Sequence, residues 1–245
     1  MKMTGWVALV IMAFVLALYF LWFGPGFSHK TEAWGQFGDY FGGVLNPILT
    51  FTSVVLLIRS IDLQREANKS LIIENKRQEK LENRKDFEFR FYNLIDSQKK
   101  LFDDFYILAP EISGDITYEN SEAVDYIERI ILASNQRGII GDQIITIISN
   151  IDSNSNDQIY SSIRKFYLSV KLINTKITKE NGFEEKDIKE YFETLINFSD
   201  FALVRLIVIS VNYMTWPNAL YIKNCNEFMR VLTEVGLDPY MKKFK

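Results

Sequence analysis

The chain is short of the residues on which most catalytic and metal chemistry is built. Its 245 residues include one histidine, His29, and one cysteine, Cys225. A single cysteine excludes an intramolecular disulfide and a cysteine-based structural metal site. Cys225 reads as a small buried residue in a reducing compartment. His29 falls in an N-terminal connector, so neither a Ser-His-Asp nor a Cys-His arrangement can be assembled in the rest of the chain. No Walker loop or dinucleotide fingerprint occurs. Asp152, Asn154 and Asn156 open like a calcium loop, but Asp157 stands where that loop needs glycine and Ile163 where it needs glutamate, so the segment reads as a polar loop. The acid pairs Asp103-Asp104 and Glu184-Glu185 fall on expected solvated faces or helix starts. The chain is therefore read as non-enzymatic, with no cofactor. A strong charge of one sign is lacking too: 28 Lys and Arg against 31 Asp and Glu leave a net charge of -3. Direct nucleic-acid binding is not indicated by that balance.

What the chain has is apolar sequence near its start. Trp6 to Phe23 is an unbroken apolar run that nearly crosses a hydrocarbon core of about 30 Å. It is longer than the apolar region of a signal peptide, and no small-x-small cleavage pattern follows it. Gly24-Pro25-Gly26 ends it, and a polar connector continues through His29, Lys30 and Glu32. A second apolar stretch runs from about Phe37 to Ile58 and stops at Arg59. Beyond it lie Arg65, Lys69, Lys76, Arg77, Lys80 and Arg84, whereas the connector carries only Lys30 and His29. The positive-inside rule then places both termini in the cytoplasm and the connector outside.

Three segments follow from this: a transmembrane hairpin of two helices over 1–58, a helical stalk over 59–86, and a cytoplasmic all-helical domain over 87–245. From Asp62 to Asp86 there is no proline or glycine, and about 25 helical residues would extend roughly 37 Å. Its apolar residues Leu63, Ala67, Leu71 and Leu81 fit a sparse heptad, but Glu74 to Lys80 would leave a gap in a coiled-coil seam. Phe87, Phe91, Leu94, Ile95, Leu101, Phe102 and Phe105 then recur at three- and four-residue steps, which is one buried helix face, closed by Pro110. Further helices are predicted at 121–134, 141–150, 158–178, 185–198, 200–214 and 218–235, with Asn218 as an N-cap and Gly236 as a left-handed terminator. Strand signals are weak, so the domain reads as a helical bundle and the fold class as all-α. The most apolar stretch of the bundle, 201–211, is too short to span a bilayer and contains Arg205. A buried arginine requires a carboxylate from a neighbouring helix.

The segment 34–47 is the densest in signals. On a helix, Gly35, Asp39, Gly42 and Asn46 form one stripe, Gly38 and Gly42 make a small-xxx-small pair, and Gly43 extends the small surface. Glycine permits close backbone approach between helices, and Asn or Asp can bond across the contact where water is absent. Two packing partners fit that stripe: the first span of the same chain, or the same stripe in other subunits. Pro47 removes a backbone donor beside Asn46, so a kink or half-helix is expected there. Asp39 reads as a headgroup-level residue, the other reading being that several copies gather Asp39 and Asn46 into a hydrated path.

The block Trp34 to Pro47, with Leu49-Thr50-Phe51, Leu56-Leu57 and Leu63-Gln64, resembles the N-terminal signature of a family of phage abortive infection proteins. That family includes two-transmembrane effectors of retron defence systems. Phe91-Tyr92-Asn93-Leu94-Ile95 looks like its next motif, and Arg164, Phe166 and Tyr167 look like its aromatic-arginine-aromatic motif. The segment from Tyr191 to Tyr213 is similar to its apolar late segment. Ser161-Ser162-Ile163 stand where the family commonly has a histidine and aromatic residues. The resemblance implies an effector that kills or arrests the infected bacterial cell by membrane damage; the two spans make the chain a multi-pass protein of the inner membrane, and packing of the glycine stripes of several chains would make it a homo-oligomer in the lipid bilayer. Until infection is sensed it would be held quiet by a partner, a regulatory protein or ribonucleoprotein of a defence system, or by its own cytoplasmic bundle. The other reading of the residues is a membrane-anchored sensor or scaffold that recruits a soluble partner through its helical domain.

Overall fold

A computed structural model describes residues 2–23, 30–110 and 114–244. Gly24-Pro25-Gly26 and His29, read above as a helix terminator and connector, lie outside the described residues. The class is all-α, with one small sheet. Two compact units are formed, Met1–Asn75 and Lys76–Lys245.

The first unit consists of α1 (Lys2–Phe23) and the first part of α2 (Thr31–Asp103). α2 contains a segment near the N-terminus long and apolar enough to cross a membrane, and only 6% of that segment is buried. The corresponding stretch of α1, Leu9–Leu21, is shorter. α2 passes through Pro47 as one helix, so of the kink or half-helix expected at that level the half-helix is not formed. Thr52 and Ser53 just beyond it turn their hydroxyls back to the carbonyls of Ile48 and Leu49, each at 2.8 Å, which satisfies those side chains without water.

The second unit begins within α2. The periodicity of Phe87, Phe91, Ile95 and Phe102 makes one buried face, and all four are at most 5% exposed. α2 ends at Asp103, earlier than the expected stop at Pro110, because Tyr106–Ala109 (β1) pairs antiparallel with Ile116–Glu119 (β2), Ile107 opposite Tyr118. The sheet corrects the expectation of an exclusively helical domain. Ile107 and Ala109 point into the core, and Ser155 accepts from the outer amide of Leu108 at 2.9 Å, occupying that edge of β1.

Seven helices follow: α3 (Asn120–Gln136), α4 (Asp142–Asn154), α5 (Gln158–Lys176), α6 (Glu185–Phe198), α7 (Phe201–Tyr213), α8 (Pro217–Lys223) and α9 (Asn226–Leu232). A short α10 (Asp238–Lys243) closes the chain. α7 is the central helix, with nine of its thirteen residues buried against neighbours that include α3 and α8. α6 and α7 meet at 115° across Ser199 and Asp200, whose carboxylate caps Ala202 N–H at 2.7 Å.

The single helix expected over 218–235 is two helices, because Cys225 is extended (φ -81°, ψ 90°) between α8 and α9. Asn218 is not the cap. Pro217 starts α8, and the Asn218 side chain accepts from the next amide, Ala219 N–H, at 3.0 Å. Gly236 is left-handed (φ 89°), as a terminator must be.

Candidate functional site

In the first unit, α1 packs on the aromatic face of α2. The Tyr19 ring meets Phe37 edge-on at 4.4 Å and Tyr40 at 6.2 Å, and Phe37 stacks on Phe41 at 5.6 Å. Val15 and Leu45 are the buried apolar residues of this unit among those described. At about 100° per residue, Phe37, Phe41 and Leu45 share one face, and the stripe of Gly35, Gly38, Asp39, Gly42 and Asn46 is centred roughly 120° away from it. The stripe is accordingly open. Among the described residues, a methyl group built at Gly35, Gly38 or Gly43 would meet nothing within 4 Å, and one at Gly42 would meet only the Asn46 amide nitrogen at 3.8 Å. Gly35, Gly38, Asp39, Gly43, Asn46 and Pro47 are all exposed. Of the two partners that fit the stripe, the helix of the same chain makes no contact with its glycines among the described residues.

In the second unit, Phe91 is fully buried. It stacks on Phe87 (5.8 Å, 9°) and takes the edge of Tyr191 at 5.2 Å. Tyr92 is the outer neighbour, 47% exposed. Arg164 is exposed on α5, Phe166 is buried against Phe228 at 5.6 Å, and Tyr167 contacts Tyr221 at 5.1 Å beneath the Lys171 ammonium. Among the described residues no ring contact joins Phe91 or Tyr92 to Phe166 or Tyr167. Phe91 and Phe166 act as core residues.

Arg205 finds the carboxylates its burial requires. One guanidinium nitrogen bonds Glu128 at 2.8 Å and Asp125 at 2.9 Å, both one α3 face away from α7. The Tyr240 hydroxyl of α10 donates to the same Glu128 oxygen at 2.7 Å. Burial opposes the Arg205 charge, but the two carboxylates raise its pKa above the ordinary value. Burial and the Glu128 charge push the Tyr240 phenol well above its usual range. This network ties α3, α7 and the C-terminal helix together.

Two further features were not visible in the sequence. Asp152, read as a loop residue, belongs to the last turn of α4 and is 3% exposed. Its carboxylate accepts from Ile159 N–H at 2.7 Å and Tyr160 N–H at 3.2 Å, so it caps the start of α5 from outside that helix. Burial pushes its pKa up to about 6 against the two amide bonds. The other feature is the connection between α5 and α6, which grips α2. Gly182 (φ +87°) lies so close that a Cβ there would stand 2.9 Å from Lys80 Cβ and 3.3 Å from the Lys80 carbonyl oxygen. Phe183 meets Phe87 edge-on at 5.1 Å, and the Tyr191 hydroxyl donates to Glu88 at 3.1 Å.

Among the described residues no cluster of His, Cys, Asp or Glu is arranged to hold a metal ion. Comparison of the chain with family models, with curated proteins and with solved structures finds no match.

Proposed function

We propose that this chain is a non-enzymatic effector of the bacterial inner membrane that associates with further copies through the open stripe of α2 and disrupts the bilayer when triggered. In this reading residues 6–23 and 37–58 form a two-span hairpin with both termini cytoplasmic, and 87–245 lie in the cytoplasm. The setting, abortive infection in defence against phage, rests on the resemblance of residues 34–64.

The observation that carries the reading is the vacancy of the stripe. Gly35, Gly38 and Gly42 leave a surface where a second helix backbone fits, and Asn46 supplies donors and acceptors that hydrocarbon cannot satisfy. The wide exposure of Trp6, Leu21 and Phe51, each at least 70%, supports a lipid surround for the same unit. The C-terminal part, with Arg205 locked in its network, would set the spacing of the spans.

The test uses Gly42→Leu and Gly38→Leu. A Cβ at either position meets no close neighbour among the described residues, so both variants should insert normally and fail to depolarise the inner membrane, read by a voltage-sensitive dye during phage challenge. Depolarisation equal to that of the unmodified chain would refute the role of the stripe. Activity that survives replacement of both spans by unrelated ones would point to the anchored sensor or scaffold.

A further inference from the structure

An open groove of ≈ 660 Å³ lies in the second unit between two turns of α2 and the connection from α5 to α6 with the first residues of α6. Its volume is within the range of small-molecule sites. Arg77, Lys80 and Arg84 line it from α2, at steps of three and four residues that put them on one helix face. Lys179 and Lys186 line it from the other wall, and its carboxylates are Glu184 and Glu185. Five cations against two anions give a local charge opposite to the net -3 of the chain.

The two carboxylates do not close the site. Lys186 reaches Glu184 at 2.9 Å and Lys179 reaches Glu185 at 3.3 Å, but all four side chains are at least 68% exposed. Such pairs are worth little in water and are readily exchanged for a ligand of higher charge. The inner wall is fixed by contrast. Phe183 is 3% exposed, and the Arg84 guanidinium stands over its ring at 5.1 Å, which holds that cation in place. Gly182 brings the opposing backbone against Lys80, so cations from two distant parts of the sequence surround one space.

We infer that this groove binds a soluble, multiply charged phosphate group, such as the triphosphate chain of a nucleotide. The anion bridges α2 and the α5–α6 connection, with Lys80 and Arg84 on one side and Lys179 and Lys186 on the other. Clustered ammonium and guanidinium donors are what phosphate oxygens require. The inference does not depend on membrane disruption.

The experiment is calorimetric titration of inorganic tripolyphosphate into the full chain held in phosphatidylcholine nanodiscs at low salt. Saturable binding is expected, weakened about fivefold by Lys80→Gln. Lys171→Gln, the same loss of charge on the outer face of α5, should leave the affinity within about twofold. Lys80→Gln keeps the Cβ and Cγ that pack on Gly182, and an unchanged circular dichroism melt would show that the variant is folded. No saturable binding at millimolar tripolyphosphate, or equal losses in the two variants, would overturn the inference.

Discussion

The grip of the α5–α6 connection on α2 gives the sharpest stability prediction. Gly182→Ala adds one carbon at φ +87°, where it would stand 2.9 Å from Lys80 Cβ and 3.3 Å from a backbone oxygen. Two costs combine. A left-handed conformation costs a residue other than glycine roughly 1–2 kcal/mol, and forcing a methyl group into a packed contact costs about 1–3 kcal/mol more. Gly138 separates them, because it is also left-handed (φ +76°) and has nothing within 4 Å of its would-be Cβ. Gly138→Ala should therefore carry the first cost alone. At about 2–4 °C per kcal/mol for a unit of this size, Gly138→Ala should lower the melting temperature by about 2–8 °C and Gly182→Ala by about twice as much. Thermal melts of the full chain in one detergent, followed by tyrosine and tryptophan fluorescence, provide the comparison. Hydrogen exchange localises the effect: amides from Phe87 to Ile95 should lose protection in Gly182→Ala and keep it in Gly138→Ala. Equal shifts in the two variants would show that the close approach to Lys80 carries no energy.

The ion network predicts an order of effects. Arg205→Met leaves Glu128, a buried carboxylate, with only the Tyr240 hydroxyl, and should cost about 3–5 kcal/mol; Asp125→Ala removes a half-exposed partner and should cost less than about 1 kcal/mol. Comparable losses in the two melts would refute the assignment of Glu128 as the dominant partner. For Asp152 the folded pKa is about 6, above the ordinary 3.8, so between these values the folded chain holds more protons than the unfolded one. Its contribution therefore becomes less favourable as pH rises through that window. Asp152→Asn keeps an oxygen to accept from Ile159 and Tyr160 and removes the charge. It should match or exceed the parent in stability at pH 7.5, by up to about 3 kcal/mol, and lose that advantage at pH 4. A variant less stable than the parent at pH 7.5 would contradict this.

Much of the helical layout was legible because long periodic runs leave little choice. The α5 and α6 boundaries follow from the spacing of Ile159, Ile163, Phe166 and Val170 and from the acidic start at Glu184 and Glu185. The errors have local causes. Four-residue strands such as Tyr106–Ala109 hold too few alternations to register as a pattern, and the break at Cys225 comes from packing, with no glycine or proline to announce it. Asp152 looked like a loop residue because its polar neighbours dominate the composition, whereas burial and two amide donors decide its role.

The sequence by itself determined the elements that need only near neighbours: the apolar segments of α1 and α2, the buried face from Phe87 to Phe102, the demand of Arg205 for an acid, and the stripe from Gly35 to Asn46. These rest on hydrophobic periodicity and on the cost of burying an unpaired charge, both of which are properties of residue type and spacing. Only the tertiary structure decided which acids answer Arg205, that α1 takes the aromatic face of α2 and leaves the glycine stripe open, and that Gly182 brings Lys179 and Lys186 beside Lys80 and Arg84. Each of these joins residues far apart in the chain, and such pairings are selected by the packing of whole faces against one another, which no local pattern encodes.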